Sequence, residues 1–340
     1  MTEKKIYTLA IESSCDDTSA AILCNDNVLS NIVARQAIHE EYGGVVPELA
    51  SRAHQQNIVP VVDVALKKAG IKKEDLDCIA FTQGPGLMGS LLVGGSFAKS
   101  LSMALNIPLI AINHMKAHIL AHFIAEEGYE KPTFPFLALT ISGGHTQIVK
   151  VSSFFEMEII GQTTDDAVGE AFDKSAKILG LPYPGGPLID QLAKQGNPKA
   201  FAFTSPKVPG LNFSFSGLKT QILYFIQKNV AQNPNFIEEN KADICASVQH
   251  TIIKILMDKL KMAVAETGIT QIAIGGGVSA NSGIRATLKD AEQKYNWKTF
   301  IPKFEYTTDN AAMIGIVGYQ KYKHQLFESA TVVSKARIEF

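Results

Sequence analysis

The sequence predicts an α/β protein built twice from one order of elements, giving two related lobes that face a cleft. Three observations carry that prediction. An apolar strand at residues 7–11, a polar turn and a return strand at 20–24 are matched by a strand at 136–141, the tight turn Ser142, Gly143, Gly144, His145, and a return strand at 146–151. A strand at 78–82 that runs into the glycine loop 83–90 is matched by 271–274 running into the glycine loop 275–281. Between the copies lies the polar link 126–132, rich in Glu and closed by Pro132. The expected division is a first lobe over 1–134, a second over 135–305 with an insertion near 197–219, and a terminal helix over 306–340 crossing back toward the first lobe.

The first strand reads as buried from its apolar run and length. Its turn holds Glu12, Ser13, Ser14, Cys15, Asp16, Asp17, Thr18 and Ser19. Backbone amides, hydroxyls and a carboxylate in such a turn can meet a phosphate and its metal, though a plain polar hairpin has the same composition. A further turn at 25–27 leads into residues 28–33 and completes a β-meander. Pro47 opens a long helix that stops at Gly70, with Pro placed where its missing N–H costs nothing. The glycines of loop 83–90 permit a tight turn and close backbone approach at a helix N-terminus, where anions are favoured; the helix of small residues then ends near Leu105.

Another apolar run, 107–112, delivers the chain to His114 and His118. On a helix, side chains four apart lie on one side about one turn from each other, so both imidazoles can hold one divalent ion. The end of a strand is also where α/β proteins place their chemistry. The same spacing arises in ordinary polar surface. A zinc-protease helix would need Glu after the first His as general base, and Met115 stands there. The third ligand is expected from Asp309, which precedes the apolar helical stretch 311–316; it equally suits the role of N-cap, worth about 1 kcal/mol.

In the second half, Asp165, Asp166, Glu170 and Asp173 crowd the start of a helix, and Asp173 can pair with Lys177 across one turn. Loop 181–187 is too rich in Pro and Gly to be regular, and Asp190 follows it. The insertion interleaves Phe201, Phe203, Phe213 and Phe215 with Lys199, Lys207 and Lys219; such aromatics either pack the insertion onto the core or stack bases, and packing is favoured.

Composition bounds the rest. With 340 residues, 46% hydrophobic and 19% charged, the chain can bury two cores. No apolar run reaches the roughly 18 residues of a membrane span, and Met1, Thr2, Glu3, Lys4 and Lys5 lead directly into strand-like sequence, so a cytoplasmic protein without membrane contact is expected. Cys15, Cys24, Cys78 and Cys245 have no paired spacing and read as reduced thiols without metal. Lys and Arg number 32 against 33 Asp and Glu, so a nucleic-acid substrate would need a local patch or partner subunits for its phosphates.

Eight ordered motifs, spread over almost the whole chain, closely resemble the tRNA N6-adenosine threonylcarbamoyltransferase family, in bacteria TsaD. They are 12–18, 83–87, 113–118, 142–146, 169–174, 183–187, 275–281 and 308–313. The resemblance implies the actin-like ATPase fold of sugar kinases and Hsp70, with a nucleotide cleft. It implies transfer of threonylcarbamoyl from threonylcarbamoyl-AMP to N6 of the adenosine following the anticodon in tRNAs reading ANN codons. His114, His118 and Asp309 then look like ligands of one divalent ion, Fe2+ with Zn2+ as the alternative. Thr140, Ile141, Ser142, Gly143, Gly144, Asp173, Gly186, Asp190 and Asn281 look like the adenylate pocket, which could also take ATP or ADP. Glu12 or Asp16 is the candidate base for the weakly nucleophilic adenine amine. The partners implied are tRNA, a TsaB-like paralogue and a TsaE-like P-loop ATPase. The first turn lacks the glycine of a kinase Asp-x-Gly, which argues against γ-phosphate transfer. The alternatives are an ATP-dependent small-molecule carbamoyltransferase or kinase of the same fold and, further off, a metalloprotease.

Overall fold

The computed structural model describes residues 4–206 and 208–340, so the readings placed on Lys207 and on the first three residues fall outside the described part. The chain forms two compact units, Met1–Lys131 with Pro302–Phe340, and Pro132–Ile301.

In the first unit β1 (Tyr7–Glu12), β2 (Thr18–Cys24), β3 (Asn27–Ala34), β4 (Cys78–Gly84) and β5 (Leu109–Asn113) form one sheet in the order β3-β2-β1-β4-β5. The meander pairs antiparallel and β1-β4-β5 parallel. The second unit repeats this with β6 (Phe136–Ile141), β7 (Thr146–Val151), β8 (Met157–Gln162), β9 (Gln271–Gly275) and β10 (Lys298–Phe300), in the order β10-β9-β6-β7-β8. Strand for strand the two sheets have the same connectivity, β6-β7-β8 antiparallel and β6-β9-β10 parallel, so the duplication expected from the sequence is present.

A short helix α1 (Ile38–Glu41) precedes α2 (Pro47–Ala69), which starts on its proline and ends on left-handed Gly70, as expected. α2 and α3 (Met88–Leu105) bury Ile58, Val62 and Ala98 against Leu9, Ile11, Ile79 and Phe81 of the sheet. After β5 comes α4 (His114–Leu120). The last helix, α10 (Ala311–Lys323), is buried from Ala311 through Tyr319 because it lies against β1, β2, β4 and α4. Gly315 permits this approach: a Cβ there would collide with Leu23.

The second unit carries α5 (Val168–Ile178), α6 (Gly185–Ala193), α7 (Ser216–Val230), α8 (Phe236–Thr267) and α9 (Ser282–Tyr295). Two expectations change here. α6 begins inside the Pro/Gly-rich loop, because the Asp173 carboxylate accepts the Gly185 and Gly186 amides at 2.8 and 3.1 Å and so supplies the new helix with a cap. Asp173 is therefore committed to α6 rather than to Lys177. The insertion also ends earlier than expected, with α7 starting at Ser216, where Asp165 accepts from the Phe215 amide at 2.8 Å and the Ser216 hydroxyl at 2.8 Å.

Its aromatics pack, as favoured. Phe213 and Phe215 are fully buried in the core of the second unit, and Phe201 and Phe203 meet Phe225 in tilted and edge-to-face contacts. Phe213→Ala is expected to destabilise this unit by about 3–5 kcal/mol, read as a lower denaturant midpoint, since the vacated ring volume lies among residues that cannot collapse into it.

Candidate metal centre

Asn113 starts α4 by accepting the Met115 and Lys116 amides at 2.9 and 3.2 Å, which fixes the helix in register with the end of β5. His114 and His118 then meet edge to face, with ring centroids 4.7 Å apart and ring planes at 88°. Asp309 arrives from the returning segment just before α10. It is not the cap of that helix: Asn310 accepts the Met313 amide at 3.1 Å, and the Ser19 hydroxyl accepts the Ala311 amide at 2.8 Å. The cap reading of Asp309 is thereby corrected, and its carboxylate is left free to face the histidines.

Three atoms converge. His114 Nε2 and His118 Nε2 are 3.1 Å apart, and Asp309 Oδ1 lies 3.2 Å from His118 Nε2 and 3.4 Å from His114 Nε2. Ligand atoms about 2.0–2.1 Å from one tetrahedral ion stand roughly 3.4 Å from one another, so the residues present fit a divalent metal. The Asp309 side chain is 32% exposed where that of His118 is 1%, so the triangle opens on the carboxylate side.

Behind these candidate ligands lies Glu12, one of the two carboxylates expected as candidate bases. Glu12 is wholly buried, with Oε2 at 3.2 Å from His114 Nδ1, the Thr82 hydroxyl donating to that same oxygen, and the Ser14 amide donating to Oε1 at 2.6 Å. The Ser14 hydroxyl also stands 3.2 Å from His114 Nδ1. A carboxylate on the far nitrogen of a ligand histidine fixes its tautomer and ring plane. Burial opposes the charged form of His114, yet Asp309 and Glu12 outweigh it and hold His114 well above its usual pKa. Burial keeps His118 low, and Asp309, beside His114, lies far below the carboxylate range despite its own desolvation.

The remaining hydroxyls of the first turn also face inward. The Ser13 hydroxyl donates to the Ser90 carbonyl, while Thr18 Oγ1 lies 2.8 Å from His54 Nδ1, with His54 Nε2 3.0 Å from the Cys15 carbonyl. Asp16 stays half-buried, and burial, Asp16 and Asp309 together push Asp17 up to about 7. Burial, Asp16 and Asp309 also push the Cys15 thiol up. The glycine loop 83–90 was expected to approach an anion. It approaches its own chain instead: the Gly86 amide donates to the Ala336 carbonyl at 3.2 Å and the Leu87 amide to the Ser14 carbonyl at 2.7 Å.

In the second unit the remaining candidates gather at the C-terminal ends of β6 and β9, where Thr140 pairs with Gly275. The Ser142–His145 turn closes with Gly143 and Gly144 exposed, and the Gly169 amide donates to the Ser142 carbonyl at 3.2 Å. Ile141 and Thr140 are buried, and the Thr140 hydroxyl has no partner among the described residues. Asp190 accepts from the Ser282 amide and hydroxyl at 3.1 and 2.8 Å. Asn281 caps α9 on Ile284 and donates to Gln249 at 2.8 Å. Thr82, Gln249 and Ser282 escaped the sequence reading. No local spacing marks Thr82, which meets Glu12 only because β1 and β4 pair in parallel.

The fold and these three atoms define an actin-like α/β protein with a candidate divalent-metal centre. A family model for tRNA N6-adenosine threonylcarbamoyltransferase, TsaD, matches residues 27–316. The protein of that name from Christiangramia forsetii is 72% identical over 340 residues, all of both chains, and the one from Porphyromonas gingivalis 59% identical over 338 residues, 99% of each. The chain belongs to the tRNA N6-adenosine threonylcarbamoyltransferase family. Solved structures share the fold: T. kodakarensis HypF has a TM-score of 0.65 at 15% identity, covering 95% of this chain and 48% of that one. Component A of Acidaminococcus fermentans (R)-2-hydroxyglutaryl-CoA dehydratase has 0.52 at 16%, covering 94% and 99%.

Proposed function

We propose that this chain transfers the threonylcarbamoyl group of threonylcarbamoyl-AMP to N6 of the adenosine following the anticodon in tRNAs reading ANN codons. Membership of the family supports the reaction, and the observation that carries the metal-dependent form of it is the triangle of His114 Nε2, His118 Nε2 and Asp309 Oδ1. Fe2+, or Zn2+ in its place, would supply a Lewis acid for a phosphate or carbonyl oxygen there. Glu12 sets the plane of His114, and the half-buried Asp16 is the carboxylate left to accept the proton from the amine.

The adenylate is assigned to the second unit. The exposed Gly143 and Gly144 amides of the Ser142–His145 turn suit a phosphate, and Asp173, Gly186, Asp190 and Asn281 line up at the starts of α6 and α9 to suit ribose and adenine. ATP or ADP would use the same groups.

A near-neutral chain gains from partners in gripping tRNA, and TsaB-like and TsaE-like proteins are the ones assigned. Val59 on α2 and Leu92 and Met103 on α3 are 60, 52 and 69% exposed, apolar side chains suited to contact with the paralogue. No described helix is long and apolar enough to cross a membrane, in keeping with the cytoplasm assigned. A metalloprotease is disfavoured because Met115, at the position of the missing base, is buried.

The test is reconstitution with both partners, the adenylate-forming enzyme, ATP, bicarbonate, threonine and unmodified ANN-reading tRNA, followed by nucleoside mass analysis. Threonylcarbamoyladenosine should appear, and His114→Ala should abolish it. No product with active partners would move the assignment to a small-molecule carbamoyltransferase.

A further inference from the structure

The first unit ends in an extended segment whose residues alternate between half-buried and exposed from Thr331 to Phe340. Val332 packs against the core of that unit, and the Ser334 hydroxyl donates to the Leu91 carbonyl at 3.3 Å. The segment then runs along the end of β4. The Gln83 side-chain amide donates to the Val333 carbonyl at 3.0 Å, the Lys335 amide to the Gln83 carbonyl at 2.8 Å, and the Gly86 amide to the Ala336 carbonyl at 3.2 Å. Gly84 is required here, because a Cβ would collide with the Lys335 carbonyl oxygen. Further on, the Asn113 side-chain amide donates to the Glu339 carbonyl at 3.4 Å, and Lys116 Nζ lies 5.5 Å above the Phe340 ring.

These contacts fall on two supports of the metal centre and on nothing else in the site. Loop 83–87 holds Ser14 through its carbonyl, and Ser14 in turn meets both Glu12 and His114. Asn113 is the residue whose side chain starts α4 and so sets where His114 and His118 stand. One ribbon thus ties the backing of His114 to the register of the helix that carries both histidines.

We propose that residues 333–340 are a positioning strap for the metal centre, holding the Gln83–Gly86 loop and the Asn113 cap at the spacing the three ligand atoms need. The inference rests on reading His114, His118 and Asp309 as metal ligands. The strap touches no ligand atom and acts through its backbone, which separates its effect from that of its side chains.

Lys335→Pro removes the N–H that bonds the Gln83 carbonyl, at an exposed position. Lys335→Ala keeps that bond and serves as the control. Gln83→Ala removes the Val333 contact from the other side. Co2+ is titrated into each metal-free full-length protein against a competing chelator, with the visible Co2+ band recorded and trypsin cleavage at Arg337 followed in parallel. Lys335→Pro, and more so Gln83→Ala combined with Lys335→Pro, should weaken Co2+ binding by roughly three- to tenfold, below the usual cost of losing a direct partner of a ligand, shift the band and speed cleavage at Arg337. Lys335→Ala should match the unaltered protein in all three. Co2+ affinity and band unchanged in the double variant would overturn the strap, whatever the protease reports. Failure of the unaltered protein to bind Co2+ would instead overturn the ligand assignment beneath it.

Discussion

Asp309→Ala loses the metal: its content after loading and desalting, measured by elemental analysis, should fall from one ion per chain to under about a tenth, and tRNA modification with it, because two ligands do not hold a divalent ion against water. The protein should still unfold in one cooperative transition, since Asn310 rather than Asp309 caps α10 and the Asp309 side chain is partly exposed. The metal-free proteins should differ with pH in a set direction. His114 is raised above its usual pKa, so its charged form stabilises the fold below that usual value and the contribution fades as pH climbs through the raised one. Asp309 is depressed, so its contribution is present above the usual carboxylate value and fades only in strong acid. The cost of Asp309→Ala therefore belongs to the mildly acid and neutral range and should vanish on the alkaline side of the His114 titration. Normal metal content in the variant would remove Asp309 from the ligand set.

Glu12→Gln separates two roles for one buried carboxylate. The side chain keeps its shape, but the charge that steadies His114 is gone, and one of its two former acceptor atoms now meets donors. Metal affinity should drop by roughly 10- to 100-fold, the usual cost of removing the outer partner of a ligand histidine, and modification should recover when the metal is supplied in excess. Full metal loading with activity absent would instead make Glu12 the base. The geometry favours the first outcome because both oxygens are already engaged by Ser14, Thr82 and His114.

The duplicated sheets and the His114–His118 pair were legible because both are local patterns: alternating runs around polar turns, and a four-residue spacing after a strand. What misled was adjacency and distance. Asp309 and Asn310 are both good capping residues one position apart, and only the backbone torsions of residue 310, φ −156° and ψ 154°, decide which of them caps. The glycines at 84 and 86 do mark a close approach, but composition does not say of what: at Gly84 the visitor is the Lys335 carbonyl from far along the chain, and at Gly86 the Ser14 carbonyl from before it. The Asp173–Lys177 spacing was correct for a pair, yet two unsatisfied amides at the start of α6 offered the carboxylate a better partner.

The division of the chain bears on how the molecule is made. The second unit is continuous from Pro132 to Ile301, whereas the first is completed only by Pro302–Phe340. During synthesis the later-encoded half can therefore mature while the earlier one waits with β1 to β5 lacking α10. His118 waits across 191 positions for Asp309, so the three candidate ligand atoms cannot meet until residue 309 has been made. Termination after Ile301 but before Asp309 would leave a finished second unit and a first unit without its third candidate ligand.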